Sequence, residues 1–148
     1  MPSSHRVVSH EEVQNLLEHA GPAQAWSYID VRTPIEFASG HIEGAFNVPF
    51  KHGSIEGLKH NPDFATTMLQ AFPPTQNLIV GCHSGGRAKA ACIQLASLGY
   101  TTLALHADSL AGSRDHFGRL SVGWLAQGLP VTSSVEPGHS YAELTALR

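Results

Sequence analysis

The sequence has few cysteines, a small net charge and no long apolar run. Its two cysteines, Cys82 and Cys92, are too few for a disulfide framework. Nine lysine and arginine residues against twelve aspartate and glutamate residues give a net charge of −3, which offers no basic surface for nucleic acid or acidic lipid. No run of about 18 apolar residues is present, so no membrane-spanning helix is expected. We therefore expect neither nucleic acid nor a membrane as a partner.

Ten histidines are present, but none has the spacing of a metal ligand. The sequence contains no His-x-His, no His-x-x-x-His and no Cys-x-x-Cys. We therefore predict no metal and no cofactor. Two unpaired cysteines suit a reducing compartment, and the charged helix pattern that follows the first residues differs from the apolar core of a secretory signal. We expect a cytoplasmic protein, or a plastid protein if a transit peptide has been removed from the sequence.

The 148 residues, 42% of them hydrophobic, are enough for one domain with its own core. Apolar runs typical of buried strands alternate with helical patterns. Strands are predicted at Trp26 to Val31, Ala45 to Pro49, Asn77 to Gly81 and Thr101 to Leu105; helices are predicted to begin at Ser9, Pro34 and Pro62, to run from Ala88 to Leu98, and to include Trp124 to Gln127. This alternation predicts an α/β fold whose parallel sheet carries helices on both faces. From Ser133 the composition turns polar, which predicts a tail.

Cys82 stands where the predicted strand Asn77 to Gly81 ends and the next helix is about to begin. In a parallel sheet this carboxyl end is where ligands gather. The two following glycines allow backbone N–H groups to converge into an anion-binding nest. The helix N-terminus and Arg87 add positive potential. Because this environment favours a thiolate over a thiol, we predict that Cys82 is a strong nucleophile.

A free cysteine is more often a small buried residue than a catalyst, and this alternative applies to both cysteines. Cys92 fits it, since it lies in the middle of a predicted helix beside Ala91 and Ile93. Cys82 fits it poorly, because a cysteine that only fills core space needs neither two glycines nor an arginine just downstream. We therefore assign the chemistry to Cys82.

Two stretches of the sequence carry a resemblance to a known family. The first is Cys82-His83-Ser84-Gly85-Gly86-Arg87-Ala88, and the second runs from Asp30-Val31-Arg32-Thr33-Pro34-Ile35-Glu36-Phe37 through Gly40-His41-Ile42-Glu43-Gly44-Ala45 to Phe46-Asn47-Val48-Pro49. They resemble the active-site loop and the upstream signature of rhodanese-type sulfurtransferases, particularly the plant-type single-domain members. Gly128-Leu129-Pro130 is similar to the usual end of that domain, so we predict a rhodanese domain over residues 8–131 and a C-terminal tail over residues 132–148. The resemblance implies a three-layer α/β fold with a mostly parallel five-stranded sheet.

The resemblance also implies a reaction. A donor such as thiosulfate passes sulfane sulfur to Cys82, and the persulfide passes it to cyanide, to a small thiol or to a thiol-bearing acceptor protein. The persulfide would be bound by the loop residues His83, Ser84, Gly85, Gly86, Arg87 and Ala88. Asp30 and Arg32 match positions that brace this loop, although an ordinary ion pair is the alternative. His83 and Lys89 either attract anionic donors or simply face solvent.

One departure from the family pattern and two rival functions stay open. Family members have a Gly-Gly shortly before the final tryptophan, whereas here a stretch around Arg114 to Val122 precedes Trp124, either as an insertion beside the pocket or because the alignment slips. A cysteine phosphatase or arsenate reductase of similar fold would have five residues between the nucleophile and the arginine. Here four residues separate Cys82 from Arg87, and the smaller ring suits a persulfide sulfur better than a tetrahedral phosphate. A non-enzymatic persulfide carrier or scaffold module is the other alternative.

Overall fold

The computed structural model describes residues 5–19, 25–54, 57–114 and 117–146. Its strands are β1 (Arg6–Val8), β2 (Trp26–Asp30), β3 (Phe46–Asn47), β4 (Lys51–Ser54), β5 (Gly57–His60), β6 (Asn77–Gly81), β7 (Leu103–His106), β8 (Gly112–Arg114) and β9 (Leu120–Val122). Its helices are α1 (His10–His19), α2 (Pro34–Ser39), α3 (Phe64–Ala71), α4 (Gly86–Ser97) and α5 (Tyr141–Thr145). None of these helices is long and apolar enough to cross a membrane.

The centre of the molecule is a five-stranded sheet in the order β1-β7-β6-β2-β3. All four strand pairs are parallel, with Ile29 opposite Val80 and Val80 opposite Leu105 in the register. Two antiparallel hairpins, β4–β5 and β8–β9, lie outside this sheet. The predicted α/β class and the five-stranded, mostly parallel sheet are therefore confirmed.

Alternating residues of the sheet strands supply two separate cores, as the period of a strand requires. On one face Leu78, Val80 and Leu105 pack in a cluster with buried residues of α3, α4 and α5. On the other face Ile79 and Ala104 pack in a cluster with side chains of α1 and α2. Residue Ile79 therefore points away from its neighbours Leu78 and Val80. The sheet is covered on both faces, in agreement with the predicted three layers.

The first two helices begin at capping boxes. Ahead of α1, the Ser9 hydroxyl accepts from the Glu12 N–H at 3.1 Å and the Glu12 carboxylate accepts from the Ser9 N–H at 3.1 Å. Thr33 and Glu36 form the same reciprocal pair at α2, where Pro34 is the first helical residue as predicted. These caps satisfy N–H groups that a helix N-terminus leaves without partners.

The predicted start of the third helix is wrong by two residues. The helix α3 begins at Phe64, whereas Pro62 was expected to be its first residue. Asn61 does not cap it: its side-chain oxygen accepts from the Asp63 N–H at 3.0 Å. The amide of Asn61 donates to the Pro49 carbonyl at 2.8 Å and to the Tyr141 hydroxyl at 3.1 Å. The Asn61 side chain is therefore engaged by three segments of the chain and is not available to cap a helix at Pro62.

The prediction of a helix over Trp124 to Gln127 is wrong, because these residues form consecutive turns. The stretch around Arg114 to Val122 forms the β8–β9 hairpin, in which Gly112 lies opposite Val122. The chain thus leaves the sheet at the end of β7, makes the hairpin, and returns to bury Trp124. The extra stretch therefore forms a hairpin, and that it is an insertion relative to the family pattern stays a prediction.

Residues 132–146 of the predicted C-terminal tail pack against the rest of the domain, residues 147–148 lie outside the described residues, and the predicted boundary after residue 131 stays a prediction. Thr132 pairs with His41 in an isolated bridge. The His139 ring stacks on Phe46 with 3.8 Å between centroids, and Leu144 of α5 is buried in the core. A polar composition conceals these contacts because only a few residues of the segment are apolar.

Candidate active site

Cys82 follows β6 directly and its thiol is buried, with 2% of the residue exposed. Its Sγ accepts from the Gly85 N–H at 3.0 Å and from the Ala88 N–H at 3.4 Å. We call residues 82–88 the cradle, because their backbone curls around this sulfur. Hydrogen bonds from N–H groups favour a negatively charged acceptor. The predicted convergence of amides on Cys82 is therefore present for Gly85 and Ala88.

Gly85 gives the cradle its shape. Its φ of 95° is in the left-handed region, which glycine adopts at little cost. A Cβ at this position would collide with the carbonyl oxygen of Ala107. The left-handed turn starts α4 at Gly86, so the first turn of the helix stands directly beside the sulfur. Glycine is required here for its backbone conformation and for the close approach of a neighbouring chain.

Arg87 is held by Glu36 of α2. Its Nη1 and Nη2 donate to the two carboxylate oxygens at 2.7 Å and 3.0 Å. This hydrogen-bonded pair lowers the pKa of Glu36 from 4.5 to about 2 and raises the pKa of Arg87. Glu36 accepts at the same time from the Thr33 N–H and hydroxyl. The guanidinium is thus fixed in orientation, and one carboxylate joins the α2 cap to the cradle.

Asp30 and Arg32 form a buried pair at the end of β2. The guanidinium donates to the carboxylate, with 2.7 Å between Arg32 Nη2 and Asp30 Oδ2, and also to the Gly40 carbonyl at 2.7 Å. Between them, the Val31 N–H donates to the carbonyl of Gly81, the residue before Cys82. This main-chain bond ties the pair to the base of the cradle. That Asp30 and Arg32 brace residues 83–88 stays a prediction.

The mouth of the cradle is polar. The side chains of His83, Ser84 and Lys89 are exposed. Burial lowers the pKa of His5, and the charge of Lys89 lowers it further. The charge of Lys89 on α4 is therefore felt by His5 of the N-terminal segment. Attraction of anionic donors by His83 and Lys89 stays a prediction.

A protein-family model described as a rhodanese-like domain matches residues 9–113, more than half of the chain. The chain belongs to the rhodanese-like domain family. Thiosulfate sulfurtransferase 16, chloroplastic, of Arabidopsis thaliana is 41% identical over 103 residues, which are 70% of this chain and 77% of that protein. The Arabidopsis protein HIGH ARSENIC CONTENT 1, mitochondrial, is 42% identical over 77 residues, 52% of this chain and 46% of that protein. The resemblance drawn from the two sequence stretches is confirmed.

Solved structures share the rhodanese fold at lower sequence identity. The crystal structure of Rv0390 from M. tuberculosis superposes with a TM-score of 0.70 at 22% identity and covers 89% of this chain and 100% of that chain. At 22% identity the likeness supports a shared fold and nothing about function. It agrees with the sheet and helix layers described above.

The second cysteine of this rhodanese domain has a different environment. Cys92 lies in α4 and is fully buried within the core cluster. Burial raises its pKa to about 12, with a smaller contribution from Cys82. Its thiol therefore stays protonated at neutral pH, which agrees with a packing role. Among the described residues, no group of three or more histidine, cysteine, aspartate or glutamate side chains could hold a metal ion.

Two residues beside the cradle were missed at the level of sequence. Glu36 had a visible signal, since it is the acid three positions after Thr33 in a capping box and lies inside the upstream signature. Ser109, whose hydroxyl accepts from the Cys82 N–H at 3.0 Å, had no such signal. It lies 27 positions from Cys82, and only the folded sheet brings the two together.

Proposed function

We propose that this rhodanese domain is a thiosulfate sulfurtransferase that carries sulfur on Cys82. The observation that carries the proposal is the pair of cradle N–H groups, from Gly85 and Ala88, that converge on a single buried sulfur. The 41% identity to a protein named thiosulfate sulfurtransferase supports thiosulfate as the donor. The family supports transfer of sulfur between small donor and acceptor molecules.

The chemistry requires two displacements at sulfur. The Cys82 thiolate attacks the outer sulfur of thiosulfate, the S–S bond of thiosulfate breaks, and sulfite leaves with the bonding electron pair. Cyanide or a thiolate acceptor then attacks the outer sulfur of the persulfide, the bond to Sγ breaks, and the Cys82 thiolate is regenerated. No net oxidation occurs and no cofactor is needed. The negative charge stays on or beside Sγ throughout, where N–H donors of residues 83–88 stabilise it.

The role proposed for Arg87 is to hold the shape of the cradle. Its charge is already matched by Glu36 in a two-bond pair. The guanidinium is therefore better suited to anchoring the first turn of α4 than to meeting a donor as a free cation. Asp30 and Arg32 would support the same geometry from β2, through the Val31 bond to Gly81.

Arsenate reduction or phosphate hydrolysis is the alternative reaction, and the name of one relative, HIGH ARSENIC CONTENT 1, refers to arsenic. The spacing opposes it, because four residues between Cys82 and Arg87 enclose a smaller ring than a tetrahedral oxyanion needs. A non-enzymatic carrier would form the persulfide but turn over only with one dedicated protein. Thiocyanate formation from thiosulfate and cyanide separates these alternatives from the proposal.

The experiment compares the wild-type protein with Cys82→Ser and Cys92→Ser. We expect Cys82→Ser to lose essentially all thiocyanate formation and Cys92→Ser to keep most of it, with both variants folded by circular dichroism. Arsenate reduction and aryl phosphate hydrolysis are measured on the same samples and are expected to be negligible. Equal losses in the two variants, or a phosphatase rate above the sulfur-transfer rate, would reverse the assignment.

We propose the plastid as the working compartment, in preference to the cytoplasm expected from the cysteine content. The support is the chloroplastic designation of the 41% identical relative. A fluorescent fusion to the full gene product, expressed in leaf cells, should coincide with chlorophyll fluorescence. A diffuse cytosolic signal would restore the first expectation.

A further inference from the structure

Ser109 has an unusual backbone conformation immediately behind Cys82. Its φ of 47° makes it the one non-glycine residue with a positive φ in the described ranges. The residue is completely buried. Left-handed backbone is unfavourable for a residue with a Cβ, so the surrounding structure must impose it. Strained residues of this kind cluster at functional sites, so the contacts of the Ser109 side chain are of interest.

The hydroxyl of Ser109 connects two main-chain groups. It donates to the His106 carbonyl at 2.6 Å and accepts from the Cys82 N–H at 3.0 Å. The carbonyl can only accept and the amide can only donate, so the direction of both bonds is fixed. The hydroxyl therefore gives the Cys82 amide its partner in a place that water does not reach.

The residues that follow Ser109 hold the same part of the cradle. The Leu110 N–H donates to the Cys82 carbonyl at 3.4 Å, and the Ala111 N–H donates to the His83 carbonyl at 2.6 Å. The Trp124 N–H in turn donates to the Ser109 carbonyl at 2.9 Å. The main chain of Cys82 and His83 is thus held by three bonds, and the bond at the Cys82 amide depends on a side chain.

The buried ring of His106, whose carbonyl accepts from the Ser109 hydroxyl, takes part in a chain of hydrogen bonds. His10 Nε2 must donate to the Val122 carbonyl at 2.8 Å, so His10 Nδ1 accepts from His106 Nε2 at 2.7 Å. His106 Nδ1 then accepts from the Tyr28 hydroxyl at 2.6 Å. Only this order of protons satisfies every group in the chain when both rings are neutral. The residue whose carbonyl anchors Ser109 is therefore itself held through both nitrogens of its ring.

We infer that Ser109 is a positioning residue for Cys82. Its hydroxyl orients the Cys82 amide so that Sγ stays in front of the Gly85 and Ala88 N–H groups. The inference rests on the proposed function, since it assigns a role in sulfur uptake at the same cysteine. Glycine would adopt the observed φ more easily than serine does. Compared with glycine, serine at this position adds a hydroxyl but places a residue with a Cβ in a strained backbone conformation.

The test uses two variants that separate the hydroxyl from the backbone strain. Ser109→Gly removes both, and Ser109→Ala removes the hydroxyl but keeps the strain. Single-turnover uptake of sulfur from thiosulfate is measured by mass spectrometry over a range of thiosulfate concentrations. We expect the maximal rate to fall about tenfold in both variants, as for the loss of one buried hydrogen bond. The half-saturating thiosulfate concentration should change less than twofold, because the cradle N–H groups that meet the anion remain.

A purely structural role predicts a different pattern, in which the rate follows stability and Ser109→Gly equals the wild type. Thermal unfolding is therefore recorded for both variants and for the exposed control Ser133→Gly, which should match the wild type in rate. A folded Ser109→Gly with uptake within twofold of the wild type would overturn the inference and leave the proposed function intact. If the wild-type protein itself takes up no sulfur, the proposed function fails. The alkylation rate of Cys82 by iodoacetamide then decides the inference, which requires about a tenfold fall in both variants.

Discussion

The sulfur of Cys82 receives its two amide donors from residues three and six positions further along the chain. Such short spacing can be anticipated from sequence, because a strand, two glycines and a helix start permit few other paths for the backbone. The partner of Arg87 is different, since Glu36 lies 51 positions away. Nothing in the sequence near Arg87 indicates whether its guanidinium meets a bound donor anion or a carboxylate of the protein itself. The structure places it on the Glu36 carboxylate, and this contact is the reason for the shaping role proposed for Arg87.

Arg87→Lys is expected to be as damaging as Arg87→Ala. Lysine keeps the positive charge but cannot place two parallel N–H donors on the Glu36 carboxylate. We expect thiosulfate turnover to fall at least about tenfold in both variants. Glu36→Gln should lose activity in the same direction, while the exposed Glu43→Gln should not. Near-normal turnover of Arg87→Lys would show that charge alone is sufficient.

The elements around the site show where reasoning from sequence succeeds and where it stops. The caps of α1 and α2 were predictable because Ser9 with Glu12, and Thr33 with Glu36, interact within one helical turn. The turns at Trp124 were not predictable, because the Trp124 and Leu125 N–H groups bond to the carbonyls of Ser109 and Leu110, which the β8–β9 hairpin separates from them in sequence. The same limit hid Ser109, whose φ is imposed by contacts distant in sequence.

Gly85→Ala tests the element that joins β6 to α4. Alanine would have to adopt a φ of 95° and would also collide with the Ala107 carbonyl. The matched control is Gly138→Ala, where φ is 85° but no heavy atom lies within 4 Å of an added Cβ. We expect the control to lose about 1 kcal/mol of unfolding free energy with unchanged turnover. Gly85→Ala should lose more stability and sulfur uptake as well, measured by urea unfolding and by mass. Equal stability and equal sulfur uptake in the two variants would show that the close approach of the Ala107 carbonyl does not require glycine at position 85.

Among the described residues, His106 and Glu36 have strongly lowered pKa values, and such groups make the folded protein less stable in acid. Burial, with a smaller contribution from the neighbouring His10, lowers the pKa of His106 from 6.5 to about 3. Hydrogen bonding to Arg87 lowers the pKa of Glu36 from 4.5 to about 2. In both cases the unfolded chain binds protons at a higher pH than the folded chain does. The free energy of unfolding must therefore fall as the pH falls.

The pH windows of the two groups differ, which makes them separable. His106 contributes its stabilisation fully above about pH 6.5 and loses it progressively toward pH 3, whereas the Glu36 contribution is lost between about pH 4.5 and 2. Urea unfolding at several pH values from 7.5 to about 5 should show a slope that His106→Gln flattens and Glu36→Gln leaves unchanged. A wild-type stability independent of pH in that range would contradict a neutral, buried His106.

The most direct test of the central claim is the intact mass of the protein after incubation with excess thiosulfate and removal of the donor. We predict one added sulfur atom on the wild-type protein, located by peptide mapping on the segment that contains Cys82 and removed by cyanide. The Cys92→Ser variant should gain the same mass and Cys82→Ser should gain none. An unchanged mass of the wild-type protein, or added sulfur that maps to Cys92, would contradict sulfur transfer through Cys82.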